Sequence, residues 1–316
     1  MKVPLFLFLI IDGYLLLYFI SGTLNLIYLI DIIFMIIIRM EKASLEKAQL
    51  SCQPTAQPLH DVVGEIIGTF LMCFLGIGAV ATATLFGAHT GPYQVGMIWG
   101  IAIIIGIYTT RNLSAAHFNP AVTFAMCVSG RCHWRNFPIY FMSQMVGATL
   151  AALCLWLLMS ESVALSLTTN GLTMEEMSPA ATIWLETFPN TSNGIMNIWT
   201  ASLAEGVGVF LLVLVIFSMT EGCNVGRPSN DLFPIFIGFA VSAIIGTIGP
   251  LTNAGLNPAR DLGPRLVGYL VGWKNLAFSW ESSMVYVVAP FIGAGLAALV
   301  FIKFVEPMQH TKNQCC

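Results

Sequence analysis

Charge is what this sequence has least of. Only 9% of its 316 residues are charged, while 57% are hydrophobic; a soluble globular chain carries about 25% and 45–50%. So few charges cannot cover a water-facing surface, which excludes an ordinary soluble enzyme and a disordered chain. With 13 Lys+Arg against 16 Asp+Glu the net charge is −3. That leaves no basic field to attract phosphate and excludes a nucleic-acid binder. No HExxH or GxSxG run occurs. The cysteines are scattered, with no CxxC pair and no Cys/His spacing suited to zinc. They are expected as thiols packed in helices, with the adjacent Cys315-Cys316 a candidate for palmitoylation. No motif asks for a cofactor, a metal or catalysis. What remains is a protein whose solvent is lipid.

Long apolar runs are what the sequence has most of. A bilayer core of about 30 Å needs roughly 20 apolar residues as helix. Six such spans occur, at about 62–86, 93–110, 136–159, 198–219, 232–250 and 283–304. An additional apolar stretch, 3–38, precedes them. It is too long for one helix and short for two joined at Ser21-Gly22. It reads as extra spans or a dispensable leader, with Met40 a candidate start of the functional chain. Gly64-x3-Gly68 and Gly96-x3-Gly100 have the spacing that lets helix backbones approach closely. Arg39, Lys42 and Lys47 precede the first core span; Arg131 and Arg135 follow the second, Arg227 the fourth and Lys303 the sixth. The segment 160–197 carries Glu161, Glu175, Glu176 and Glu186 and no Lys or Arg. The positive-inside rule then puts both ends of the six-span core in the cytoplasm and 160–197 outside. The plasma membrane is the expected location. Asn190-Thr191-Ser192, a glycosylation sequon, falls on the outer side.

The chain also repeats itself. Trp99-Gly100-Ile101-Ala102 through Asn119-Pro120-Ala121 aligns with Ile237-Gly238-Phe239-Ala240 through Asn257-Pro258-Ala259 at a constant offset of 138. Glu65 aligns with Glu205 upstream, and Tyr140 with Tyr286 and Gly147 with Gly293 downstream. Each copy holds three spans, an odd number, so the copies insert upside-down relative to each other. Inverted repeats with a site at their interface are a transport architecture. The expected organisation is an extension over 1–39, a cytoplasmic linker over 40–60, repeats over 61–159 and 198–306, an extracellular loop over 160–197 and a cytoplasmic tail over 307–316.

Each copy places Asn-Pro-Ala in a loop too short and too apolar for water. Asn is a good N-cap and Pro suits the first helical position. Two half-helices, about 120–129 and 258–269, are therefore expected to enter from opposite faces and meet N-terminus to N-terminus near the midplane. Extended backbone precedes them, with bare carbonyls from Ala115, Ala116, His117, Ala254 and Gly255. Such backbone is tolerated at that depth only where it is buried in protein or lines a wet cavity. Two positive dipole ends and the side-chain N–H groups of Asn119 and Asn257 converge there, favouring an oxygen acceptor and disfavouring a cation. Arg260 costs about 2.5–3.5 kcal/mol in lipid, so it is expected on a polar path.

Taken together, these residues resemble the major intrinsic protein family, the aquaporins and glycerol facilitators, over about residues 60–306. The resemblance implies an all-α membrane fold of six transmembrane helices and two re-entrant half-helices, assembled as a homotetramer with one pore per subunit. It implies that Glu65 and Glu205 brace the re-entrant loops by accepting their backbone N–H groups. It makes Arg260 the arginine of the outer constriction, beside Trp99, Ile245 and Ala254. Water-only members resemble one another in a His at the position of Ile245. Here an apolar Ile245 and the flat Trp99 face donors on Arg260, an amphipathic slot suited to a polyol. Asp261, Arg265 and Pro290 resemble the glycerol-facilitator branch. Ala254 departs from the Phe of bacterial facilitators and is more like the plant nodulin-type branch, which leaves urea, ammonia and metalloid hydroxides open beside glycerol and water. The implied function is passive facilitated diffusion of small neutral solutes, with protons and ions excluded. A water-selective channel and an ion-coupled secondary transporter are the alternatives.

Overall fold

In a computed structural model of the chain, residues 6–11, 14–19, 58–89, 91–188 and 196–313 are described. Ser21-Gly22, Met40, Asn190 and Cys315-Cys316 lie outside them. The chain divides into two units, Met1–Ala48 and Gln49–Cys316.

The described part of the first unit is not helical. Strand β1 (Phe6–Ile11) pairs antiparallel with β2 (Tyr14–Phe19), Phe6 opposite Phe19 and Ile11 opposite Tyr14. Over the described residues 6–11 and 14–19 the extension is therefore strand and not helix. The two intervening residues are Asp12-Gly13, a dipeptide favoured in two-residue hairpin loops. The flanking runs are rich in Ile, Phe and Tyr, which favour strands. Apolar length alone does not separate a buried strand from a helix.

In the second unit every regular element among the described residues is a helix. They are α1 (Pro58–Phe86), α2 (Pro92–Thr110), α3 (Pro120–Val128), α4 (Phe137–Thr169), α5 (Ile198–Thr220), α6 (Phe233–Thr252) and α7 (Pro258–Val271). The last span is segmented: α8 (Lys274–Ala277), α9 (Trp280–Ser283), α10 (Ala289–Val300) and α11 (Glu306–Asn313), with π turns at Met284–Val288 and Phe301–Val305. Six helical stretches are long and apolar enough to cross a bilayer, matching the six spans read from the sequence. Two run beyond their apolar windows, α4 to Thr169 and the last to His310. Hydropathy marks where lipid ends, and helical hydrogen bonding continues past it.

The inverted repeat is expressed in how helices approach. Helix α4 crosses α1 at Gly147, where an added Cβ would lie 2.5 Å from the Ile66 carbonyl oxygen. Its counterpart Gly293 brings α10 onto α5, a Cβ there falling 2.0 Å from the Gly206 carbonyl. Between the repeats, α2 meets α6 where Gly100 and Gly238 face each other, each Cβ position within 2.6 Å of the other's carbonyl oxygen. Lipid offers no hydrophobic drive for helix association, so close van der Waals packing at such positions carries it. Gly64 and Gly68 do something else. Their faces admit Ser114 and the Phe118 ring, giving space to a loop and not to a neighbouring helix. Outward, Leu157, Leu158, Trp199 and Leu203 remain exposed, a surface suited to lipid.

Gly293→Val is expected to lower the thermal midpoint of the purified protein strongly, since overpacking costs about 1–3 kcal/mol even where side chains can yield and here a backbone carbonyl blocks the way. Gly222→Ala, which meets nothing within 4 Å, should leave it unchanged. Differential scanning fluorimetry of both variants checks this.

Candidate functional site

Both Asn-Pro-Ala segments start helices. Asn119 is extended (φ −151°) and its side-chain oxygen accepts from the Ala121 N–H at 2.9 Å; Asn257 (φ −149°) accepts from Ala259 at 3.0 Å and Arg260 at 3.3 Å. Pro120 and Pro258 take the first helical positions, where no N–H is needed. The two caps meet. The Asn119 amide donates to the Leu256 carbonyl at 2.9 Å, and the Asn257 amide donates to the Phe118 carbonyl at 2.8 Å. One N–H of each amide is therefore spent on joining the two loops. Each NH₂ has two N–H groups, so one per asparagine is left over, the two donors the sequence suggested; the Asn257 amide also lies 4.0 Å from the Met72 sulfur.

The backbone before each cap alternates in hand. Ala116, Phe118, Ala254 and Leu256 have φ between 51° and 55°. A non-glycine residue held there costs on the order of 1–3 kcal/mol and persists only when its surroundings over-determine it. Two buried carboxylates do so. Glu65 accepts from the Ser114 hydroxyl (2.8 Å), the His117 and Phe118 N–H groups (3.0 and 2.9 Å) and the Gln144 amide (2.8 Å). Glu205 accepts from the Thr252 hydroxyl (2.5 Å) and the Gly255 and Leu256 N–H groups (2.9 and 2.6 Å). Ser114 and Thr252, His117 and Gly255, Phe118 and Leu256 are repeat-equivalent pairs. The repeat's tyrosines join in. Tyr140 Oη accepts from the Ala115 N–H at 3.4 Å and donates to Asp61, while Tyr286 Oη donates to the Thr252 carbonyl at 2.9 Å.

These loops border a cavity of about 570 Å³. Trp99, Ile245, Ala254 and Arg260 line it, as do Ala115, Ala116, His117, Gly255, Asn119 and Asn257. Among the described residues no donor is paired with the carbonyls of Ala115, Ala116, His117, Ala254 or Gly255. The His117 ring is held by Thr123 at 3.2 Å and packs on Tyr140. Pro120, Ala121, Pro258, Ala259, Glu65, Glu205, Asp261, Arg265 and Pro290 are buried and do not line it. Most of the rest is apolar, including Met72, Val122, Leu212 and Val241. Arg111, Asn112, Thr220 and Asn230 line it as well; Arg111 pairs with Asp231 at 3.0 Å, joining the end of α2 to the segment before α6.

The Arg260 guanidinium lies 4.9 Å over the Trp99 ring, and Trp99 in turn rests on Gly76, where a Cβ would collide with the indole. The partner of Arg260 is Glu186, from the segment following α4; the two form a buried ion pair. Asp261, its neighbour in sequence, instead binds Arg265 through both oxygens at 2.8 Å. The i,i+4 spacing turns it onto Arg265. Arg265 also donates to the Glu186 carbonyl, Asn253 to the Thr187 carbonyl and Trp184 to the Ala152 carbonyl at 3.2 Å. The Trp156, Trp184 and Trp273 rings pack together behind them. In the sequence Glu186 marks only sidedness. Its sole local signal was an acid between Leu185 and Thr187 in an otherwise apolar run.

Glu205→Gln replaces one acceptor oxygen with an NH₂ that must face a backbone N–H. An unsatisfied buried donor costs about 1–3 kcal/mol. A clear fall in thermal midpoint is expected, and the repeat-equivalent Glu65→Gln should behave alike; fluorimetry of the two variants decides.

The major intrinsic protein family model matches residues 53–301. A glycerol uptake facilitator protein of Haemophilus influenzae is 35% identical over 244 residues, covering 75% of this chain and 89% of that protein. A propanediol uptake facilitator of Salmonella typhimurium is 34% identical over 248 residues, covering 76% and 92%. The X-ray structure of the aquaglyceroporin from Plasmodium falciparum superposes with a TM-score of 0.70 at 25% identity, covering 81% of this chain and all of that one. With its six membrane-spanning helices, its paired Asn-Pro-Ala half-helices and these relatives, the chain belongs to the major intrinsic protein family.

Proposed function

We infer that the protein is a membrane channel for passive facilitated diffusion of glycerol and similar small neutral solutes, with water. The observation that carries this reading is the meeting of Trp99, Ile245 and Arg260 on one cavity. Trp99 and Ile245 present apolar surface to a carbon chain, and Arg260 presents N–H donors to hydroxyl oxygens. Unpaired carbonyls along the two loops accept the hydroxyl hydrogens. The names of the glycerol and propanediol facilitators that it resembles support the same solute class. Ile245 lacks the hydrogen-bonding group that a wall selective for water alone would use.

Ion exclusion follows from charge. Arg260 repels cations and hydronium at one end. At the centre the N-termini of α3 and α7 and the remaining N–H of Asn119 and of Asn257 orient passing water oxygens toward them, which interrupts a proton wire. The chain is an integral multi-pass membrane protein. Its basic segments put the Arg131 end in the cytoplasm and Glu186 outside, with the plasma membrane as its location. Assembly is a homotetramer, each subunit with its own pore.

Reconstituted vesicles should re-swell rapidly in a glycerol gradient by stopped-flow light scattering, without saturation and independently of any ion gradient. Saturable, ion-dependent entry would make it a transporter, and water flux without glycerol entry a water channel. Ile245→His should cut glycerol flux about tenfold, the scale of one altered wall contact in an apolar pocket, while water flux persists. Glu186→Gln leaves the buried Arg260 charge uncompensated. Removing one partner of such a pair costs about 3–5 kcal/mol, so stability should fall and glycerol flux should drop more than water flux, because a polyol needs the guanidinium held still.

A further inference from the structure

At the end of the bundle that bears Arg131, two segments far apart in sequence converge. Glu221 caps α5, Cys223 follows it, and His310 comes from α11. The Glu221 carboxylate oxygen, the Cys223 sulfur and a His310 ring nitrogen all lie within 4.8 Å of one another. Ligand atoms about 2.0–2.3 Å from a tetrahedral metal stand roughly 3.3–3.8 Å apart, so small side-chain rotations close the set. His310 Nε2 already approaches Glu221 Oε1 to 3.3 Å. The other Glu221 oxygen is held by Arg131 at 2.7 Å, and Arg131 also binds Glu306 at 3.1 Å and stacks over Phe217 and Phe301. Glu306 and His310, four apart on α11, thus present one helix face to this cluster, and the carboxylate is oriented from behind as metal-ligating carboxylates usually are.

We propose that Glu221, Cys223 and His310 form a binding site for one zinc-class divalent cation per chain. A thiolate, an imidazole and a carboxylate suit zinc and its borderline neighbours and not magnesium or calcium, which take oxygen ligands. Three protein ligands leave a fourth position for water. The partly exposed His310 gives the ion a path in. The site clips α11 to the segment after α5, and that segment begins directly after Thr220, which lines the cavity. The sequence shows no such cluster because His310 reaches the other two only through the fold.

The test uses tag-free, reduced, full-length protein in detergent. Titration with zinc against a chromophoric chelator should give one tight equivalent, and cobalt should produce a thiolate-to-metal charge-transfer band. Cys223→Ser should abolish the band. His310→Ala and Glu221→Gln should weaken zinc by more than the roughly 10–100-fold that losing an outer-shell partner costs. A Cys315→Ser/Cys316→Ser double variant should keep both signals. Glycerol flux in vesicles confirms that each variant is folded, and the exposed His310→Ala decides the matter where Cys223→Ser does not fold. Absence of a tight equivalent in the parent protein, or unchanged zinc affinity in His310→Ala, overturns the proposal.

Discussion

Two carboxylates hold this molecule in its working shape. A re-entrant loop inside a bilayer has backbone N–H groups and no water to satisfy them, and each left bare costs several kcal/mol. Glu65 and Glu205 are fully buried, and each gathers two consecutive loop N–H groups and one hydroxyl. The left-handed residues Ala116, Phe118, Ala254 and Leu256 persist on that account. Their reward lies on the other side of the loop: with the N–H groups drawn back to the carboxylates, the carbonyls of Ala115, Ala116, His117, Ala254 and Gly255 meet no donor among the described residues. A ladder of acceptors in an otherwise apolar tube results from this one constraint, applied twice by the repeat.

The asparagines serve two masters. Each side-chain oxygen caps its own half-helix, while one amide N–H crosses to the opposite loop's carbonyl. The centre of the cavity is thereby a closed hydrogen-bonded junction between the repeats, so the two halves cannot shift independently along the lumen. Farther out, symmetry is abandoned. Arg260 has no equivalent in the first repeat, where the residue after Asn119-Pro120-Ala121 is Val122. Its counter-charge comes from outside either repeat, through Glu186, whose backbone is in turn held by Arg265. Arg260 is braced inside by a buried carboxylate, while Arg111, Thr220 and Asn230, which also line the cavity, include an arginine paired with the exposed Asp231.

Much of this was legible in the residues. Apolar length located six spans, the 138-residue offset exposed the repeat, and Asn-Pro announced two helix starts because capping is a local matter. The gathering of Trp99, Ile245, Ala254 and Arg260 on one wall came through resemblance and not through any local pattern. Less legible were events that depend on distant partners. Gly64 and Gly68 have a helix-pairing spacing but receive a loop, since spacing does not say what occupies the groove. Asp261 sits beside Arg260 and yet binds Arg265, because side chains one position apart on a helix diverge while those four apart meet. At the start of the first apolar stretch, Phe6–Ile11 pairs with Tyr14–Phe19 as strands, which apolar length alone does not announce.

By itself the sequence determined that the chain lives in lipid, that its core over 62–304 holds six spans, that the two halves of this core are inverted copies, and that each copy starts a half-helix at Asn119 or Asn257. These follow from solvent, periodicity and local hydrogen bonding, all of which act over a few neighbouring residues. Only the tertiary structure decided which carboxylate faces Arg260, that each asparagine spends an N–H on the opposite loop, and that Glu221, Cys223 and His310 share one place. Those are matters of distance between segments remote in the chain, and no local preference of a residue encodes the identity of a partner that only packing brings within reach.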